Sequence, residues 1–157
     1  MRKCLLGPEV PNGPHSESGW LALDNIAAVE ITSEDPAYPI EGALLPGRGS
    51  EWRAATAGKQ MIRIRFDRPE RLSRIALEFN AQGAPRTQQY VLRWSDDDGK
   101  SFHEIVRQQW NFSAPNATCE SEDHRVELPN VTILDLIVDP DISGGDARAS
   151  LARMRLA

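Results

Sequence analysis

Cysteine is scarce in this chain: only Cys4 and Cys119 occur in 157 residues. A domain of this length buries a sizeable core without a disulfide framework. The three histidines, His15, His103 and His124, share no ligand spacing with one another or with the cysteines, which excludes a recognisable zinc motif. No apolar run approaches the ~20 residues of a membrane-crossing helix. Cys4-Leu5-Leu6 is cut off by Gly7-Pro8, too short for the apolar centre of an export signal, so a cytoplasmic, reduced setting is the expectation. A basic excess is also missing. Lys and Arg number 18 against 23 Asp and Glu, giving a net charge of −5, which argues against general nucleic-acid binding. No glycine-rich loop opens a helix, and no nucleophile elbow or paired-carboxylate cleft is visible. A non-enzymatic role, with no membrane partner and no metal, is expected.

What the chain does have is alternation. Ile62, Ile64 and Phe66 alternate with Arg63, Arg65 and Asp67, and Ile75, Leu77 and Phe79 with Arg74, Ala76 and Glu78. A period of two is the mark of a half-buried strand. Residues 26–33 read as a first strand, with 125–128 as a short one. The stretch 132–139 is apolar on both phases except for its aspartates, so it is expected to be central; 149–156 closes the domain. Between residues 37 and 49, glycines and prolines predict loop, Pro69-Glu70 predicts a turn, and 111–123 predicts a long polar loop. The organising stretch is 88–110. Tyr90, Leu92 and Trp94 alternate with polar neighbours, Asp96-Asp97-Asp98-Gly99 makes a turn, and a second strand follows. Phe102 and Ile105 fall on opposite phases there, which predicts a β-bulge near His103 or Glu104. Ser95-x-Asp97-x-Gly99-x-x-Phe102 fits an Asp-box, a structural turn rather than a ligand site. Two antiparallel sheets of about eight strands, with a flexible arm over residues 1–20 and a domain over 21–157, account for this pattern.

Order and spacing carry a resemblance. Ser33 precedes a loop with Glu41-Gly42. Ser50-Glu51-Trp52 precedes the strand with Ile62 and Ile64. The hairpin reads Y-x-L-x-W-S-x-D-x-G-x-x-F from Tyr90, and the last strand reads A-S-L-A-R-M-R-L from Ala149. Together these resemble the galactose-binding-like superfamily of discoidin or coagulation-factor C-type domains and carbohydrate-binding modules, over residues from about 24 to the end. Locally, Trp52-Arg53-Ala54-Ala55-x-Ala57-Gly58-Lys59 is similar to the N-terminal domain of the X-ray-repair cross-complementing scaffold protein, which shares that fold. The resemblance implies an all-β jelly-roll sandwich that binds carbohydrate through loops at one end, here Trp52, Arg53, Arg86, Trp110, Phe112 and Asn116. In that arrangement an aromatic stacks on the sugar and arginine or asparagine bonds its hydroxyls. It also implies a structural calcium in many members. Arg153 stands where those members carry a calcium-holding Glu, and Glu41 where many have Asp, so no cofactor is expected here. The alternative is an intracellular protein-interaction or scaffold domain that uses the strand-face arginines Arg63, Arg65 and Arg93 and exposed aromatics.

Overall fold

The computed structural model describes residues 19–47, 50–80, 85–113 and 118–157. The expected arm at residues 1–20 lies almost wholly outside them. Every named strand pair is antiparallel. The eight strands among the described residues are β1 (Ala27–Ile31), β2 (Trp52–Ala57), β3 (Gln60–Asn80), β4 (Arg86–Ser95), β5 (His103–Phe112), β6 (Cys119–Asp139), β7 (Arg148–Leu151) and β8 (Arg153–Leu156). Two single helical turns, α1 (Leu23–Ile26) and α2 (Glu41–Leu44), complete the described chain.

β3 and β6 form one long ribbon, with Gln60 opposite Val138 at one end and Asn80 opposite Cys119 at the other. Its register slips between Arg65 and Arg74. There the ribbon bends over itself, so each strand serves both layers. The first layer runs β1–β3–β6–β4–β5. The second pairs β8 with the far half of β3, while β2 pairs with β7. Ala152 N–H donates to Glu78 O at 2.9 Å where β7 gives way to β8. The core lies between the layers. Ile62, Ile64, Leu134, Leu136 and Leu92 face it from the first layer, and Leu72, Ile75, Leu77 and Phe79 from the second. Phe79 meets Tyr90 across the gap at 5.3 Å between ring centroids. Burial of each such side chain contributes about 1.5–3 kcal/mol.

Several sequence expectations need correction. Pro69-Glu70 does not reverse the chain. Pro69 is exposed within β3 at the bend, where the ladder is already interrupted and a missing N–H costs little. The polar stretch 119–123 is strand, not loop, and 125–128 and 132–139 are parts of one strand, β6. The segment around residue 41 is not all loop, because α2 buries Gly42, Ala43 and Leu44. A Cβ on Gly42 would lie 2.9 Å from Ser50 O, so only glycine fits that contact.

The hairpin follows its expectation closely. The β4–β5 register shifts after Leu92, where Val106 and then Glu104 are the successive partners, so Ile105 is the extra residue. In the turn, Ser95 Oγ donates to Asp97 Oδ1 and accepts from the Gly99 amide at 2.9 Å. Ser101 Oγ donates to Asp97 Oδ2 at 2.6 Å. Gly99 has φ +89°, which glycine alone adopts freely. The turn folds back onto β6, with the Asp98 amide donating to Thr132 Oγ1 at 3.0 Å.

Candidate functional site

The ribbon bend puts the ends of β1 and β6 and the start of β4 at one end of the sandwich, opposite the hairpin turn. Arg86 opens β4 there, and Phe112 closes β5 as its register partner. Arg86 Nε donates to Pro140 O at 2.9 Å, and its guanidinium sits 5.3 Å from the Phe112 ring centroid. Burial pulls the Arg86 pKa below the usual arginine value, opposed by Asp141. The Arg86 Nη groups have no hydrogen-bond partner among the described residues. Beside it, Thr87 Oγ1 donates to Asn111 Oδ1 at 2.6 Å, and the Ile142 amide donates to Thr87 O at 2.9 Å. Ile142 itself is an exposed large hydrophobic side chain.

Of the six residues expected to hold a ligand, three meet at this end: Arg86, Trp110 and Phe112. Phe112 is a core residue that backs Arg86 and offers no open ring face. Trp110 is half-buried against the core, in register with the buried Gln88, so it leans inward along the sheet edge. Trp52 is corrected: it is fully buried, Nε1 donates to Ser33 O at 3.1 Å, and it belongs to β2 in the second layer. Arg53 follows it there, paired with Glu51 at 2.9 Å and lying 4.1 Å above the Tyr38 ring. Asn116 lies outside the described residues.

The strand-face arginines are organised by a residue the sequence reading passed over. Asp135 sits on β6 between Arg63 on β3 and Arg93 on β4, its register partners on either side. It is fully buried. Arg63 donates from Nε to Oδ1 at 2.8 Å and from Nη2 to Oδ2 at 2.9 Å, and Arg93 donates from Nε to Oδ2 at 2.9 Å. Phe102, delivered by the hairpin turn, covers both guanidinia at 4.0 Å (Arg93) and 5.3 Å (Arg63). Hydrogen bonding to Asp135 raises the Arg63 pKa. Arg65 stands apart, 3.6 Å from Glu30. On the neighbouring strand Glu104 pairs with Arg107, at 2.8 Å, while Glu78 lies in the other layer. A carboxylate in an otherwise apolar central strand needs buried cations, and that was the available signal.

The residues do not fit the implied calcium. Arg155 Nη1 donates to Ala43 O at 2.8 Å, so a guanidinium already occupies the α2 carbonyl. A divalent ion there would meet that positive charge, and no metal-holding group of three acids, histidines or cysteines occurs among the described residues. Burial pushes the Glu78 carboxyl up, against Arg153 and Arg155. It lies on the second layer, opposite Arg153 of β8.

No family model matches the chain, and no curated protein matches it. Solved structures do, among them carbohydrate-binding modules of family 32, whose β-sandwich fold this chain shares. The family 32 module of C. perfringens NanJ, solved with galactose, superposes with a TM-score of 0.63 at 14% identity, over 87% of this chain and 96% of that one. The Clostridium perfringens module CpGH89CBM32-5, solved with GalNAc-β-1,3-galactose, gives 0.60 at 19% identity, over 87% and 98%. A Ruminococcus gnavus GH29 fucosidase, solved with fucose, gives 0.66 at 9% identity, over 92% of this chain and 28% of its own. Likeness at these identities establishes the fold.

Proposed function

We propose that this chain is a non-catalytic carbohydrate-binding domain whose ligand sits at the loop end beside Arg86. The neighbours' ligands, galactose and GalNAc-β-1,3-galactose, support the class of ligand. The observation that carries the reading is Arg86 itself. Its Nε is fixed on Pro140 O and its plane is backed by Phe112, which leaves a partly desolvated fork of Nη donors at the surface. Such a fork suits two adjacent sugar hydroxyls. The protein-interaction alternative draws on Arg63, Arg65 and Arg93, whose charges are each met at least in part by a carboxylate of this chain.

A glycan array on the full chain, with and without calcium, tests the reading. One class of neutral glycan is expected to bind equally in both conditions. Arg86→Ala should weaken that binding about tenfold or more with an unchanged melting temperature. Silence across the array overturns the proposal.

A further inference from the structure

The outer face of the first layer holds a cleft of about 300 Å³, separate from Arg86. Its charged lining is Lys59, Arg93 and Arg107 against Glu104 and Asp139. Arg107 is satisfied by Glu104. Lys59 makes no ion pair among the described residues. Beneath, Asp135 serves two guanidinia at once, so the face keeps an excess of positive charge on an acidic protein. Arg63 uses Nε and Nη2 on that carboxylate, whereas Arg93 uses Nε alone. Arg93 is therefore held at its base, pressed against the Phe102 ring at 4.0 Å, and its Nη groups have no partner among the described residues. A guanidinium fixed in this way presents planar, paired donors matched to a carboxylate.

The rest of the face suits hydroxyls. Gln109 Nε2 donates to Gln89 Oε1 at 3.1 Å, which orients the Gln89 amide at the cleft wall. The Thr87–Asn111 rung follows on the same face, about 6.8 Å further along the strand. We infer that this cleft is a second saccharide site, selective for a sugar that carries a carboxylate. The Arg93 fork takes the carboxylate, Lys59 flanks it, and the amide rungs take neighbouring hydroxyls. The inference rests on the carbohydrate reading for its class of ligand, but not on the loop-end site.

Calorimetric titration of the full chain with trigalacturonate and with neutral galactotriose tests it. Trigalacturonate is expected to bind, and more weakly as salt rises. Arg93→Gln should reduce its affinity about tenfold or more, and Lys59→Gln, an exposed change that leaves the fold alone, about threefold. Arg86→Ala should leave trigalacturonate unaffected. Galactotriose binding should be indifferent to both Lys59→Gln and Arg93→Gln. A thermal melt identifies any variant that fails to fold, and Lys59→Gln then decides. Equal wild-type affinity for the two sugars overturns the inference, as does trigalacturonate binding that neither substitution weakens. Galactotriose binding alone, lost in Arg86→Ala, overturns this site and leaves the loop-end reading standing. Silence from both sugars overturns this site, and the glycan array then decides the loop-end reading.

Discussion

Replacing Asp135 with alanine removes one buried carboxylate and leaves two guanidinia without their shared partner. Three charge-assisted hydrogen bonds of 2.8–2.9 Å disappear. Breaking a buried ion pair from one side costs about 3–5 kcal/mol. The Arg63 and Arg93 side chains keep 20% and 32% of their surface exposed, so water recovers part of that loss. The expected destabilisation is therefore about 2–3 kcal/mol. Urea unfolding followed by tryptophan fluorescence measures it. With a slope near 2 kcal/mol/M, the midpoint should fall by roughly 1–1.5 M at constant slope. A companion variant isolates the cause. Arg63→Met, Asp135→Leu and Arg93→Met together remove every charge of the triad and fill similar volume, so the triple variant should stay within about 1 kcal/mol of the parent. If the triple variant falls as far as Asp135→Ala, stranded cations are not the reason, and the account of this face is wrong.

Other outcomes follow from the same fold. Hydrogen bonds from the Ser101 and Ser95 hydroxyls and the Ser101 amide hold the Asp97 carboxyl well below its ordinary 3.8. A depressed carboxyl stabilises the fold above its unfolded value and loses that contribution as pH falls through the folded one. Melting temperature should thus drop on acidification below about pH 4, with a shallower acid limb in Asp97→Asn; superposable limbs would refute this. Gly42→Ala forces a methyl against Ser50 and should cost about 1–3 kcal/mol in denaturant unfolding. Trp52→Ala empties a fully buried site and should cost about 3–5 kcal/mol, or prevent folding at 37 °C; a binding defect without a stability defect would contradict its core placement.

Strand periodicity made much of the fold legible. Ile62, Ile64 and Phe66, and then Ile75, Leu77 and Phe79, lie inward as their alternation required. The bulge beside Leu92 was visible because Phe102 and Ile105 could not share a phase. The start of β6 was not visible, since its inward positions are Glu120, Glu122 and His124. A buried acid reads as loop until its partner is known, and Gln88 and Gln108, which donate to those acids, are distant in sequence. The Tyr90 hydroxyl meets His124 Nε2 at 2.7 Å for the same reason. Pro69 hid the continuity of β3, because a bend and a turn share the same local chemistry. At the loop end, Arg86 and Phe112 were both named as ligand candidates, but that Phe112 backs Arg86 depended on pairing between β4 and β5. Asp135 escaped for a related reason. Its meaning lies in the two strands beside it, which only the sheet order supplies.

The folded-over ribbon sets how this chain reaches its native state. Gln60 must find Val138 and Asn80 must find Cys119, with the whole β4–β5 hairpin lying between them in sequence. Closing so large a loop before it is rewarded by contacts makes for slow assembly, in the millisecond-to-second range of other sandwich topologies. The hairpin, local and pinned by its Ser95–Asp97 turn, is positioned to form first and act as a template. Substitutions in it should retard refolding, whereas those at the ribbon's far ends should chiefly hasten unfolding.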